Sequence, residues 1–446
     1  MIESLYIKSI GFMKKIVSVV CLLFAAVTMM AATSHVKHVT AIGEVLGDGA
    51  KTTAVAIEYD APILQSSLSK STYTVEGRTV KRVYTNSEAM KSRTGHNGCF
   101  VIVELKTTVS LTPDFGPDKK KDDDKADDPK DNGQGGGPAG GITAGNRPTR
   151  ESNPFPITAA LTQVKAVKTT TGKTYKAGVT LTSDKSRTLI ADDFKQLTFK
   201  DDKTGVTLRY NLYVPENYDA SKSYPLVLFM HDASGANQND NYTLLQGNGA
   251  TVWASPRDQA KHPCFVLAPQ YDEIVVDDSF RVTPSAETTI DLLDYIKGQY
   301  SIDADRVYTT GQSMGCMMSY LLMSTHPDEF AAGMLVAGQW DPKVIAPMAK
   351  KPLWLITSTG DAKSSAGAAA ALKLWSSLGA KTDSAAWPLD TTEVARAQEI
   401  EALRNKPVTI RYSHLQGGWH NGTWRVAYTF AGIRDWLFEQ RKEDNE

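Results

Sequence analysis

From about Asp192 to the C-terminus, short apolar runs alternate with helical stretches, and this alternation leaves the chain few folds to choose from. Leu226-Val227-Leu228-Phe229-Met230 is apolar at every position, the mark of a strand covered on both faces. Phe265–Ala268, Val307–Thr310, Gly333–Ala337, Leu353–Thr357 and Val408–Tyr412 repeat that type, and Leu208–Val214 is a strand closing on the turn Pro215-Glu216-Asn217. Between the runs lie segments such as Ser285–Tyr300, where Ile290, Leu293 and Ile296 fall on one side of a helix. Strand–helix alternation over about 240 residues predicts a doubly wound α/β domain with a mainly parallel sheet, spanning 191–446.

The chain before it reads differently. From His35 to Leu111 short β-strands are broken by turns: Thr53–Tyr59, Tyr73–Val75 with Arg78–Tyr84, and Cys99–Leu105. Gly77, Asn86, Gly95 and Asn97-Gly98 supply the turn chemistry. Residues 113–156 then carry KKKDDDKADDPKDNGQGGGPAGG, with too little apolar surface to offset the entropy of ordering. The Asp-rich run lacks the D-x-D-x-D-G register and downstream Glu of a calcium loop, so a disordered linker is the expectation. β-rich sequence resumes at Ala159–Lys168, Lys173–Ala177 and Val179–Ile190. The two halves make either one sandwich or two small units. One immunoglobulin-like sandwich over 33–190, interrupted by the insert, is favoured because each half alone has few strands to bury a core.

The N-terminus has the form of a secretory signal peptide over residues 1–32. Lys14 and Lys15 precede the apolar stretch Ile16–Val27, which exits through Ala31 and Ala32. Cys21 lies inside the apolar core, so there is no lipidation box, and a secreted or periplasmic protein is expected rather than one retained by an N-terminal anchor. The formal net charge is −1, which gives no excess of basic residues to favour nucleic acid or an acidic membrane surface. Of four cysteines, Cys99, Cys264 and Cys316 survive removal of the leader, an odd and widely spaced set. Cys264 and Cys316 read as small buried hydrophobes. No metal-ligand cluster stands out among the eight histidines, and no metal or cofactor is called for.

The chemistry centres on Gly311-Gln312-Ser313-Met314-Gly315, a G-x-S-x-G run with the strand Val307–Thr310 leading in and the helical run Cys316–Ser324 leading out. A serine on a sharp strand-to-helix turn needs glycine on both sides because the backbone there is crowded and strained. Its hydroxyl needs a base to take its proton. In folds of this type an acid and then a histidine follow in chain order. Asp361, in the loop after Leu353–Thr357, is the candidate acid, with Asp341 and Asp390 as rivals. His420, in the glycine-rich loop Gly417–Gly422, is the candidate base, with His414 as rival. Met314 is expected to give one backbone donor to an oxyanion hole, and Asp232 or Ala233 the second, from the loop after Leu226–Met230. Asp232 stands where glycine is usual, and His231 reads as a residue that ties the loop down. Trp340, Trp419 and Gln312 are candidate substrate contacts, the two tryptophans being equally readable as packing residues.

YNLYVPENYD, YPLVLFMHDAS, HPCFVLAPQY, YTTGQSMGCMMSY, VAGQWDP and WHNGTWRVAYTFAGIRDWLFEQ resemble the esterase branch of the α/β-hydrolases that includes polyhydroxybutyrate-depolymerase-like and carbohydrate (feruloyl and acetyl) esterases. More narrowly they resemble bacterial esterases with an N-terminal immunoglobulin-like domain. The resemblance covers most of 190–440 and implies a serine esterase with Ser313 as nucleophile, Asp361 as acid and His420 as base. The implied partner is an ester substrate, either polysaccharide-linked or a small acyl ester. No nucleic acid and no stable membrane insertion is expected, and association of copies through the immunoglobulin-like domain is left open. Two other readings compete: a prolyl-oligopeptidase-type peptidase, which uses the same triad, and a surface binding protein with an inactive hydrolase remnant.

Overall fold

The computed structural model describes residues 35–111 and 142–442. The proposed leader and the Lys/Asp-rich part of the insert lie outside the described residues. Within them the chain forms two compact units. One is built from residues 35–44, 51–108 and 156–188, the other from 45–50, 109–111, 142–155 and 189–442.

The first unit is all β. Its strands are β1 (Val36–Leu46), β2 (Gly49–Ile63), β3 (Tyr73–Val75), β4 (Val80–Asn86), β5 (Gly98–Leu105), β6 (Ala160–Gln163), β7 (Val167–Lys168), β8 (Thr174–Tyr175), β9 (Val179–Thr182) and β10 (Lys185–Thr188). A five-stranded sheet ordered β10-β1-β2-β5-β4 and a three-stranded sheet ordered β3-β6-β9 share one apolar core, with β7-β8 as a small ribbon. Val55, Ile57, Val101 and Val103 enter that core from the larger sheet, and Tyr73, Leu161 and Leu181 from the smaller. Strands from before and after the insert pair directly, β3 with β6 and β1 with β10, so the two halves form one sandwich. The physical reason is the one anticipated: neither half has strands enough to cover an apolar face alone.

The second unit carries a nine-stranded sheet. Its strands are β11 (Lys195–Lys200), β12 (Thr207–Tyr213), β13 (Tyr224–Met230), β14 (Phe265–Gln270), β15 (Ile302–Gln312), β16 (Ala332–Val336), β17 (Leu353–Ser358), β18 (Thr382–Pro388) and β19 (Ile410–Gln416). Their order is β11-β12-β14-β13-β15-β16-β17-β19-β18. The pairs from β14 onward are parallel, whereas β11 and β12 add an antiparallel edge. Alternate residues of β13 enter different cores: Leu226, Leu228 and Met230 on one face, Val227 and Phe229 on the other. That two-sided burial is why the run is apolar at every position. The helices in chain order are α1 (Tyr242–Leu245), α2 (Pro256–Lys261), α3 (Ser285–Gln299), α4 (Met314–Thr325), α5 (Ala362–Ser377), α6 (Glu393–Arg404), α7 (His420–Ala427) and α8 (Ala431–Phe438). α3, α4 and α5 cover one face of the sheet, and α6, α7 and α8 the other.

Residues 142–155, assigned by composition to a disordered linker, are instead stitched to this second unit. Gly145 N–H donates to Ile274 (2.8 Å), Ile274 N–H donates to Asn146 (2.8 Å), and Ala144 N–H donates to the Asp277 carboxylate (2.9 Å). Further along, Gln238 Nε2 donates to the Thr149 carbonyl (3.0 Å), and its Oε1 accepts from Glu151 N–H (2.8 Å). Ile142 packs on the apolar core and Phe155 on the Tyr242 ring. A polar composition hid this because the strap is held largely by backbone groups meeting buried polar side chains, with few apolar contacts.

Leu228, fully buried, should cost about 2–5 kcal/mol when replaced by Ala, whereas Val394→Ala on an exposed face should change stability by less than about 0.5 kcal/mol, both read by denaturant unfolding. Gln238→Leu should cost about 0.5–1.5 kcal/mol in the same measurement, because it removes both hydrogen bonds that this buried amide makes to the strap.

Candidate active site

Ser313 is the single residue between β15 and α4. Its φ of 52° and ψ of −116° lie where non-glycine residues are rare, so the surrounding fold must impose the conformation. The flanking glycines show how. A Cβ on Gly315 would fall 1.9 Å from the Met230 carbonyl oxygen, and one on Gly311 would fall 2.4 Å from Gly315. The turn is therefore pressed onto the end of β13 with no room for a methyl group. Cys316 fills the space behind it, where a Cβ on Gly338 would lie 2.6 Å from the Cys316 Cβ. Cys316 and Cys264 are buried free thiols whose pKa burial raises.

Three of the residues singled out in the sequence are joined by hydrogen bonds. His420 Nε2 lies 2.8 Å from Ser313 Oγ, and His420 Nδ1 lies 2.5 Å from Asp361 Oδ2. A carboxylate can only accept, so His420 Nδ1 is the donor in its bond to Asp361. Asp361 follows β17, caps α5 by accepting from Ser364 N–H (3.2 Å) and is 6% exposed. Burial opposes its ionisation, but the bonds from His420 and Ser364 prevail and hold its pKa below the usual carboxylate value. His420 opens α7, keeps 40% of its side chain exposed and meets the Trp424 ring edge-on at 5.0 Å. The loops bearing the acid and the histidine are zipped together: Gly360 N–H donates to Gly418 (2.7 Å), Thr359 N–H to Leu415 (2.9 Å) and Gly417 N–H to Thr359 Oγ1 (3.0 Å).

The rivals lie outside this chain of bonds. Asp341 accepts from Lys343 N–H in its own turn (3.0 Å), and Asp390 is exposed. His414 is a strand residue stacked on Tyr412, with Nε2 3.3 Å from Ser365 Oγ.

On the other side of Ser313, the loop after β13 is rigidly tied. His231 is fully buried; its Nδ1 donates to the Asp232 carbonyl (2.7 Å) and its Nε2 accepts from Tyr271 N–H (3.1 Å). Burial keeps its pKa below the ordinary histidine value, as befits a neutral fastening. The Asp232 carboxylate accepts from Ser234 N–H (2.8 Å), from Ser234 Oγ and from Gln312 Nε2 (2.7 Å). Among the described residues the N–H groups of Asp232, Ala233 and Met314 donate to no backbone carbonyl of a turn or loop.

Two of the three candidate substrate contacts are buried in the structure. Gln312 is 1% exposed and faces Asp232 rather than an open cleft, because it ends a strand covered on both faces. Trp340, 4% exposed, belongs to the apolar core and meets Phe280 edge-on at 5.3 Å. Trp419 is half-buried against Gly422, its indole N–H without an acceptor among the described residues. Trp424 and Ser234 went unremarked in the sequence. The i, i+4 spacing of His420 and Trp424 on one helix and the Asp-x-Ser turn signature were the signals for them. Among the described residues no group of three His, Cys, Asp or Glu side chains is placed to hold a metal, and no helix is long and apolar enough to cross a membrane.

Comparison with known proteins follows the same division of the chain. Residues 38–176 match the esterase Ig-like N-terminal domain, and residues 202–433, more than half of the chain, match the Esterase family model. A solved thermostable esterase covers 91% of this chain with 100% of its own, at 26% identity and a TM-score of 0.71. Feruloyl esterase B of Talaromyces stipitatus is 27% identical over 157 residues, 34% of this chain and 41% of its own length. Acetylxylan esterase A of Emericella nidulans is 41% identical over 54 residues, 12% of this chain and 18% of its own. The chain thus spans less than half the length of these curated relatives. With its all-β immunoglobulin-like unit and its α/β unit both matched, the chain belongs to the esterase family.

Proposed function

We propose that the chain is a secreted serine esterase in which Ser313, His420 and Asp361 act as nucleophile, general base and orienting acid. The observation that carries this reading is the hydrogen-bonded line from Asp361 through His420 to a serine held in a strained turn. As Ser313 Oγ attacks the ester carbonyl, its proton passes to His420 Nε2 and a tetrahedral oxyanion forms. Met314 N–H, at the start of α4, and the Asp232 or Ala233 N–H are the donors for that charge, each worth about 3–4 kcal/mol of barrier. Collapse breaks the carbon–oxygen bond to the leaving alcohol, which takes the proton from His420. Water, deprotonated by His420, then attacks the acyl-enzyme and returns Ser313. Asp361 stays ionised throughout and stabilises the transient imidazolium.

For substrate, the names of the relatives support a short or aromatic acyl group on a plant polysaccharide, of the acetyl or feruloyl type. A discriminating assay is turnover of p-nitrophenyl acetate, methyl ferulate, acetylated xylan and a prolyl peptide anilide. The expected result is ester turnover that falls at least about 10⁴-fold in Ser313→Ala. Peptide cleavage without ester cleavage would sink the proposal.

Asp361→Asn should lower kcat about 10⁴-fold, because the histidine loses the acceptor that sets its tautomer. The same variant tests the electrostatics of folding. A carboxylate with a depressed folded-state pKa stabilises the fold above the unfolded value and loses that contribution as pH falls through the folded one. The gap in unfolding midpoint between wild type and Asp361→Asn should therefore be full at pH 7 and close as the pH drops below about 4.

A further inference from the structure

We propose that Asp232 and Gln312 form a latch between the two walls of the oxyanion hole, acting as positioning residues for the tetrahedral intermediate. The inference rests on the reading of Ser313 as nucleophile. Gln312 immediately precedes Ser313, and Asp232 belongs to the loop expected to supply the second donor. Their side chains meet at 2.7 Å, across 80 positions of sequence, with 1% and 7% exposure. Gln312 Oε1 is buried without a partner among the described residues, so the bond from Nε2 to Asp232 is what fastens this amide. The remaining acceptor positions of the carboxylate face Ser234, through its N–H and its hydroxyl.

This arrangement answers an electrostatic problem. A carboxylate beside a developing oxyanion repels it unless donors hold and neutralise the charge. Three donors do so here, and a carboxylate bonded to several donors is a strong, directional anchor. A glycine at position 232 would leave the loop's backbone to hold the donor N–H in place unaided. With Asp232, the β13 loop is tied to the residue next to Ser313, and a shift of one wall carries the other with it. Small displacements of donors around a transition state are costly in rate, so the latch acts on kcat rather than on ground-state binding.

The test is kcat, KM and inhibition by a boronic acid, which forms a tetrahedral serine adduct, measured with p-nitrophenyl acetate. The variants are Gln312→Leu, Gln312→Glu and the double variant Asp232→Asn/Gln312→Glu. Gln312→Leu should lower kcat and boronate affinity together by about tenfold, with KM within about twofold and the unfolding midpoint little changed. Gln312→Glu, which sets two carboxylates face to face, should lose more. The double variant should recover most of that loss, since its amide on the β13 loop can donate to the carboxylate beside Ser313 with the roles exchanged. Wild-type kcat in Gln312→Leu, a loss confined to KM, or a double variant no better than Gln312→Glu would overturn the latch. Absence of ester turnover in the wild type would instead overturn the esterase reading, so the two failures are told apart.

Discussion

The close approach of two backbones, at Gly315 and the Met230 carbonyl, is the constraint on which the rest of the site depends. A methyl group at that point would overlap the oxygen outright, so the strand-to-helix turn can sit on β13 only if position 315 has no side chain. Once it does, Ser313 is forced to a positive φ, its hydroxyl stands clear of the sheet, and the start of α4 faces the same space. The loop after β13 begins at the same contact, since His231 directly follows Met230. The strain is local and the support is global, since parallel strands buried on both faces hold the turn from beneath.

Charge is handled at this site by burial with full pairing. Asp361 is almost completely enclosed yet ionised, because His420 and Ser364 supply donors that outweigh the cost of desolvation. Asp232 is nearly as enclosed and is likewise surrounded by donors. His231 takes the opposite course: it is neutral, with both ring nitrogens committed to backbone groups. One loop therefore holds a charged and an uncharged fastening side by side. The strap at 142–155 adds a third restraint, reaching Gln238 just beyond that loop and Ile274 close to Met314, whose sulfur accepts from Val275 N–H at 3.4 Å.

Much of this was legible in the order of residues. Full apolar runs identify strands covered on both faces, and the structure divides runs such as Leu226–Met230 and Leu353–Ile356 between two cores. The glycine-flanked serine after one such run, an acid after a later one and a histidine after the last point to Ser313, Asp361 and His420, which the structure places in hydrogen-bonded contact. Side-chain direction was harder to read. Gln312 and Trp340 sit near strand ends, where sequence period does not say whether a residue faces the core or a cleft, and both face inward. Composition misled at 142–155, because a segment poor in apolar residues can still be fixed when its backbone groups find buried polar partners.

The sequence by itself determined the class of fold, the sandwich ahead of the α/β unit, and the identity of the glycines and the serine at the turn. These follow from local rules: the period of apolar residues, the space a Cβ occupies and the torsions a turn demands. Which of two histidines reaches the serine, and what the Asp232 carboxylate faces, was decided only by tertiary structure. His414 and His420 are six residues apart, and only the meeting of the β17 and β19 loops aims the second of them at Ser313. The partner of Asp232 lies 80 residues away, and no local pattern encodes a contact that exists only because β13 and β15 lie side by side in the sheet.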